Sequence, residues 1–295
     1  MKKLVVLLLT VIMAVVGAFS LASCGGSKKQ TKMIDVKLTD EVYAIAVSKD
    51  KTSLKADINA ALKELNDAKT IDEIIAKYQD VDSVTTGYEF PSSADGVENP
   101  LIVATNAEFP PFEYKLGNKY AGIDIEIIKA IADKLNKNIV MVNMNFDAVV
   151  TSVAGLDLEE GVDNTGYDTY TYSDVAIVGL SVTEDRQKVV DFTDTYFTSA
   201  QVLVVKKDDT TFDGLNTAEE IEAKLKELTG KKVGSQTGTT GEYYVKGSGD
   251  WLEGFDNLTF KGYTSHALAI QDMLNGNIDF VVSDYETAKA LVKKF

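Results

Sequence analysis

Hydrophobic and polar stretches alternate along residues 101–295, and their spacing predicts strands that alternate with helices. Predominantly apolar runs predict buried strands, which lie at 101–104, 139–144, 175–178 and 278–282. Apolar residues at helical spacing predict helices, which follow Gly122 and Tyr285 and occupy 218–228 and 266–274. Strands that alternate with helices are typical of an α/β fold with a largely parallel sheet.

Residues 34–80 repeat this pattern on a smaller scale. A strand is predicted at Tyr43–Val47 and another at Asp35–Leu38. Leu54, Ile58 and Leu62 follow helical spacing after Ser53, which can cap the helix, and a second short helix begins near Thr70. Residues 81–100 that follow contain Pro, Gly and Ser at the density of a linker.

The first 24 residues predict export. Two lysines precede an apolar run from Leu4 to Leu21, and the segment ends in LASC at 21–24, which is typical of a signal peptide with a lipoprotein cleavage site. Cys24 is the only cysteine, so the chain forms no internal disulfide, and we expect Cys24 to be lipidated. A free thiol beside an ordinary signal peptide is the alternative. Residues 24–32 then form a tether at the outer face of the membrane.

The charge of the chain disfavours two kinds of partner. The formal net charge is −15, and it becomes −17 without residues 1–23, which hold two lysines and no acid. Such a surface disfavours nucleic acid and anionic lipid headgroups. We expect no cofactor, and the acids of 155–173 lack the spacing of a calcium loop, so we expect no metal. The only histidine, His266, is predicted to lie on the surface at a helix start.

An arginine follows the strand at 175–178. Thr183 is placed to cap a helix whose first turn carries Glu184, Asp185 and Arg186. An arginine beside free backbone N–H groups can hold a carboxylate through two parallel hydrogen bonds. A solvated, charged first turn is the simpler interpretation of this stretch taken alone.

Four stretches resemble one family. They are ATNAEFPPFEY (104–114), GLSVTEDR (179–186), VGSQTGTTGEYY (233–244) and NGNIDFVVSDYETAKAL (275–291). Together they resemble the amino-acid substrate-binding proteins of ABC importers, which have the type II periplasmic-binding-protein fold. The resemblance implies two α/β lobes joined by two crossing strands, with the ligand between them.

The resemblance also implies a ligand site for an amino acid. Arg186, Ser181 and N–H groups at Gly179, Thr239 and Thr240 would hold the ligand carboxylate, and Asp284 would receive its ammonium group. Phe109 and Phe146 would enclose its aliphatic part, and the positions that face its side chain fall on Asn106, Gln236 and Ser283. These three are uncharged, which favours a neutral polar amino acid, whereas the neighbouring Glu108 favours a basic one.

The order of the segments departs from the family. Residues 43–78 resemble the hinge strand and helices that normally end these proteins, so we infer a circular permutation; a truncated chain with an extra domain is the alternative. Lobe 1 then comprises 48–200, with 81–100 joining the permuted ends, and lobe 2 comprises 33–42 and 207–295. The predicted hinge strands are 43–47 and 201–206.

Residues 155–173 form a second departure, because the family has a short turn there. The segment is rich in Gly, Asp and Tyr, and we expect a surface loop at the start of the 175–178 strand, away from the ligand. A contact with a partner is the alternative.

The resemblance predicts a function by hinge closure. A monomeric, lipid-anchored protein would capture a polar amino acid between its lobes and deliver it to an ABC transporter permease. A lipid-anchored amino-acid sensor subunit is one alternative. A dehydratase-like enzyme on the same fold is the other, although the chain lacks a paired catalytic histidine.

Overall fold

A computed structural model describes residues 30–249 and 251–295, so the predicted signal peptide and Cys24 lie outside the described residues. Two five-stranded sheets form the cores of two lobes. Within the described residues, no helix has the length and hydrophobicity needed to cross a membrane.

The sheet of lobe 1 is mixed. Across the sheet its strands are β7 (Asn138–Asn143), β3 (Pro100–Thr105), β8 (Val175–Ala176), β2 (Glu41–Val47) and β9 (Asp191–Ser199). β3 is parallel to both β7 and β8, whereas β2 is antiparallel to β8 and β9. Buried apolar residues cover both faces of this sheet, as a sheet between two layers of helices requires.

The sheet of lobe 2 has the same number of strands. Across the sheet they are β1 (Thr31–Ile34), β10 (Gln201–Lys206), β13 (Phe280–Asp284), β11 (Lys232–Gln236) and β12 (Thr259–Tyr263). β11 is parallel to β12 and β13, and β10 is antiparallel to β13 and β1. The predicted strand at Asp35–Leu38 is wrong: the strand that pairs with β10 lies four residues earlier, at Thr31–Ile34, and includes the end of the predicted tether.

A small third sheet and the helices complete the fold. The sheet joins β4 (Glu108–Phe109), β5 (Glu113–Leu116) and β6 (Lys119–Ala121). The helices are α1 (Thr52–Asp67), α2 (Thr70–Lys77), α3 (Ile123–Lys134), α4 (Phe146–Val153), α5 (Glu184–Val189), α6 (Ala218–Glu227), α7 (Thr240–Lys246), α8 (His266–Leu274) and α9 (Tyr285–Leu291), with a 3₁₀ turn at Val81–Ser83. Ser53 does not cap α1, since it lies inside the helix after Lys51.

The segment before residue 100 is built into both lobes. β2 lies between β8 and β9, although it precedes them by more than a hundred residues in the chain. The two strands predicted as hinges each belong to one sheet, β2 to lobe 1 and β10 to lobe 2. The chain therefore passes between the lobes just before Glu41 and again between Ser199 and Gln201.

Residues 155–173 do not lie where we expected. Asp168 exchanges two hydrogen bonds with the backbone of Asn143, and Asn164 accepts one from the Asn145 amide, each 2.9 Å long. Asn143 ends β7 and Asn145 follows it, so the segment lies at the carboxyl end of β7, which is the ligand side of a parallel sheet. The placement predicted from sequence is wrong because β7 is an edge strand, and its free backbone groups bind this loop.

Candidate ligand-binding site

Arg186 is held inside the cleft by the turn that precedes it. The Thr183 hydroxyl accepts a hydrogen bond from the Arg186 amide at 3.3 Å, which confirms the predicted helix cap. The side chain is 6 % exposed, and its guanidinium donates to the carbonyls of Ser181 at 2.7 Å and Gly238 at 2.9 Å. Gly238 belongs to lobe 2, so Arg186 spans the cleft. Its Cζ lies 5.6 Å from the ring centre of Phe146.

Glu41 occupies the hydroxyls expected to bind a carboxylate. The Ser181 and Thr240 hydroxyls both donate to its Oε2, at 2.5 and 2.7 Å, and Thr39 donates to its Oε1 at 2.7 Å. The Glu41 side chain is 4 % exposed. Ser181 is in lobe 1 and Thr240 in lobe 2, so this carboxylate joins the lobes. Sequence reasoning missed Glu41, which lies two residues before the predicted strand Tyr43–Val47.

Gly179 and Thr239 complete the predicted carboxylate pocket. Gly179 has a φ of 52°, and a Cβ there would lie 2.5 Å from the Phe109 ring. Its amide donates to the buried carboxylate of Asp124 at 2.7 Å rather than to the cleft. The Thr239 hydroxyl is turned to the Gln236 carbonyl at 2.6 Å. The backbone at these positions thus brings the predicted residues together, but their polar groups already have protein partners.

Asp284 lies at the carboxyl end of β13 and is 3 % exposed. Its Oδ1 accepts hydrogen bonds from the Tyr43 hydroxyl at 2.6 Å and the Gln201 amide at 2.9 Å. Burial and the negative charge of Glu41 raise the pKa of Asp284 to about 7, against the lowering effect of these two donors. Tyr43 and Gln201 were not singled out from sequence, because nothing local marks a partner more than eighty residues away.

The residues predicted to face the ligand side chain divide into two groups. Asn106 of lobe 1 accepts a hydrogen bond from Gln236 of lobe 2 at 2.9 Å, so these two meet across the cleft. Ser283 is buried, but its hydroxyl contacts only the Asp284 carbonyl, at 3.5 Å. Neighbouring side chains on a strand point to opposite faces, so Ser283 points away from the face that carries Asp284.

His266 is fully buried, and the predicted surface position is wrong. Its ring lies 5.6 Å from the ring of Phe109, which belongs to the other lobe, and its Nε2 lies 3.9 Å from Oδ2 of Asp284. Burial lowers the pKa of His266 to about 3, so the ring is neutral and the pair is not a salt bridge. The sequence signal was its place at the start of α8, directly after the capping residue Ser265.

A cavity of about 370 Å³ opens beside Phe146 and Arg186. Lobe 1 supplies most of its wall, and Gly238 and Tyr243 supply the lobe 2 side. The inserted segment contributes three residues, which are Leu156, Glu159 and Val162. Asp147 and Asp185 also line it, and burial together with Glu242 and Glu159 raises the pKa of Asp147 to about 6. The cavity is therefore acidic and partly apolar.

The inserted segment also reaches the Asn106 side of the cleft. The Tyr167 hydroxyl lies 3.4 Å from Oε1 of Glu108, and burial together with Glu108 raises the pKa of Tyr167. Glu108 itself is exposed. In the part of the chain that the structure describes, no group of three or more His, Cys, Asp or Glu side chains is arranged to hold a metal ion.

A protein-family model matches most of the chain after residue 100. Residues 101–158 and 171–294 match the bacterial extracellular solute-binding proteins, family 3. The chain belongs to this family. Membership confirms the predicted two-lobed type II fold. The solute-binding family model leaves out 159–170, which lie within the inserted segment, and everything before residue 101.

Curated relatives in this solute-binding family are binding proteins. The chain is 32 % identical over 151 residues to the arginine-binding extracellular protein ArtP of Bacillus subtilis, covering 51 % of this chain and 49 % of that protein. It is 28 % identical to a probable histidine-binding protein of Campylobacter jejuni, covering 65 % of this chain and 62 % of the relative. The chain thus spans about half to two thirds of these relatives.

Solved structures of similar proteins give the same picture. An ancestral arginine-binding protein bound to arginine is 34 % identical, with a TM-score of 0.52, and the match covers 67 % of this chain and 75 % of that one. The ancestral amino acid-binding protein AncCDT-1, described as a precursor of cyclohexadienyl dehydratase, is 27 % identical with a TM-score of 0.50, covering 73 % of this chain and 74 % of that one.

Proposed function

We propose that this protein captures a polar amino acid between its lobes and delivers it to the permease of an ABC transporter. The observation that carries the proposal is the pair of opposite charges buried in the cleft, Arg186 on lobe 1 and Asp284 on lobe 2. A free amino acid carries one charge to match each of them. Burying either charge unpaired would cost on the order of several kcal/mol. A zwitterion bound between the lobes would therefore stabilise the closed form.

A basic amino acid fits the cleft better than a neutral one. Asp147, Glu159 and Asp185 line the cavity beside Arg186, and the net charge of the whole chain is −15. An acidic cleft attracts a cationic ligand. Relatives described as arginine- and histidine-binding proteins support this choice. Glutamine is the neutral candidate, because Asn106 and Gln236 are amides that can exchange hydrogen bonds with a third amide.

Titration calorimetry with residues 30–295 tests this function. We expect heat of binding with L-arginine or L-histidine, and its loss in Arg186→Ala and Asp284→Ala. Lys188→Ala is the matched control, because Lys188 lies on the same helix with its side chain 71 % exposed. Amino acid recovered unchanged after long incubation separates binding from the dehydratase alternative. Folded protein that binds none of the twenty amino acids would refute the proposal.

We further propose that Cys24 carries the lipid that anchors the protein outside the cell. The support is the LASC segment at 21–24 and the extracellular character of the family. A single acyl chain binds membranes only marginally, so we expect at least two. Radiolabelled palmitate should enter the wild type and not Cys24→Ser, and the variant should appear in the medium. Equal labelling of both proteins would contradict the anchor.

Circular permutation is part of the same proposal. Support comes from β2, which completes the lobe 1 sheet from outside the matched region, and from the Gln30 amide, which donates to the Phe295 carbonyl at 2.5 Å. A gene that encodes 98–295 followed directly by 30–80 restores the ordinary family order. We expect this protein to fold and to bind the same amino acid. A rearranged protein that does not fold would contradict the permutation.

A further inference from the structure

His266 is the only histidine of the chain, and it lies in the wall of the cleft. It begins α8, whose capping residue Ser265 accepts a hydrogen bond from the Leu268 amide at 3.3 Å. The ring is covered from the opposite lobe by Phe109. Separation of the lobes would remove that cover from the ring.

Neither ring nitrogen of His266 has a hydrogen-bond partner among the described residues. More than about 90 % of buried polar groups in proteins have one. Each buried group left without a partner costs about 1–3 kcal/mol. A histidine that served only to fill the core would be expected to have a partner or to be replaced by an apolar residue. A ligand in the cleft would supply the partner that the ring lacks.

The neighbouring carboxylate has one oxygen to offer to the same partner. Oδ1 of Asp284 is engaged by Tyr43 and Gln201, whereas Oδ2 faces Nε2 of His266 at 3.9 Å. That distance exceeds the length of a direct hydrogen bond, which is about 2.7–3.2 Å. A neutral imidazole has one nitrogen that accepts. In the tautomer that carries its proton on Nδ1, the two side chains present two acceptors side by side.

We propose that His266 contacts the ligand and, together with Asp284, receives its α-ammonium group. This inference rests on the proposed amino-acid function. An ammonium group has three N–H donors, so it can serve Asp284 and His266 at once and retain one more. A neutral imidazole adds an acceptor without repelling the cation. Ligands without the amino group would leave both acceptors unpaired, which makes His266 a determinant of selectivity for free amino acids.

The test separates ligand contact from a structural role. His266→Leu keeps an apolar side chain of similar bulk and removes both nitrogens. We expect its affinity for L-arginine to fall about tenfold to a hundredfold, as loss of a hydrogen bond to a charged group predicts. The melting temperature without ligand should stay unchanged or rise, because an unsatisfied polar group has been removed. His266→Asn, which retains an acceptor, should recover part of the affinity.

Two controls accompany the affinity measurement. Gln271→Leu introduces a leucine in place of a polar residue on the exposed face of α8 and should leave the affinity unchanged. The second control is 5-guanidinopentanoic acid, which is arginine without its amino group. Its weaker binding should be the same in the wild type and in His266→Leu.

Nuclear magnetic resonance of the imidazole nitrogens supplies a measurement on the wild type. An untagged protein gives the two ring-nitrogen signals of a single residue, because the chain has one histidine. L-arginine should shift the acceptor nitrogen, and 5-guanidinopentanoic acid should not. Unchanged nitrogen signals, or equal loss of affinity for both ligands in His266→Leu, would overturn the inference. Absence of any binding by the wild type would instead remove the proposed function, and this inference with it.

Discussion

Asp284 is buried with a raised pKa, so its replacement by asparagine should stabilise the unliganded protein in a pH-dependent way. Its pKa of about 7 compares with an ordinary value of 3.8, because burial and Glu41 disfavour the charged form. Between about pH 4 and pH 7 the folded protein therefore holds a proton that the unfolded chain has lost. Stability falls as the pH rises through this window. Above it, the full cost of the buried charge is present.

The size of the effect follows from the two pKa values. A difference of about three pH units corresponds to about 4 kcal/mol, at 1.36 kcal/mol for each unit. Asp284→Asn has nearly the shape of the protonated acid and carries no charge. At pH 4 the two proteins should differ little in free energy of unfolding. At pH 8 the variant should be the more stable by as much as about 4 kcal/mol.

Urea unfolding followed by circular dichroism at pH 4, 6 and 8 measures this difference. Asp124 also has a pKa raised by burial, but it is common to both proteins and cancels in the comparison. The pKa of Glu113 is raised by burial and in part by the charge of Asp284, so that part is included in the measured difference. Calorimetry in parallel should show that Asp284→Asn has lost amino-acid binding. In the wild type, affinity should rise about tenfold for each pH unit from pH 5 to 7, because the bound ammonium favours the carboxylate. A difference in stability that does not change with pH would refute the reasoning.

Three further substitutions test the site. Glu41→Gln should lower the pKa of Asp284 toward its ordinary value, because the charge of Glu41 raises it. In the same unfolding assay, the pH range over which stability falls should then end at a lower pH. Gly179→Ala should destabilise the protein by at least about 1 kcal/mol from its positive φ, and should weaken ligand binding, because the new Cβ would lie 2.5 Å from Phe109. Tyr167→Phe should weaken the binding of arginine more than that of glutamine if the inserted segment reaches the ligand; equal effects on both affinities would contradict this.

Local patterns in the sequence predicted most helices and strands and the Thr183 cap of the helix that carries Arg186. Thr183 caps α5 as its spacing from Arg186 predicts, because a cap depends on residues only three positions apart. The helix at His266–Leu274 was predicted with the same bounds. Periodicity reports such short-range relations directly. The family resemblance added the pairing of lobes, which no local pattern contains.

Long-range contacts account for what sequence reasoning missed. Glu41 meets Thr240 across 199 positions of the chain, and Tyr43 meets Asp284 across 241. His266 was assigned to the surface because a polar residue at a helix start is usually exposed, whereas the Phe109 ring of the opposite lobe packs against it. The inserted segment was misplaced because its contacts are with an edge strand whose free backbone groups the sequence does not display.

The charges in the cleft favour the ligand-dependent closure that the proposed function requires. Glu41 and Asp284 are both buried near Arg186, and neither carboxylate forms a salt bridge with it among the described residues. The guanidinium instead contacts two carbonyls, and the Glu41 carboxylate takes the hydroxyls of Ser181 and Thr240. Closure without a ligand therefore buries charges whose only partners are neutral, which is costly. An amino acid would bring an ammonium group to Asp284 and a carboxylate to Arg186, so the free energy gained would depend on both lobes at once and would shift the population toward closure.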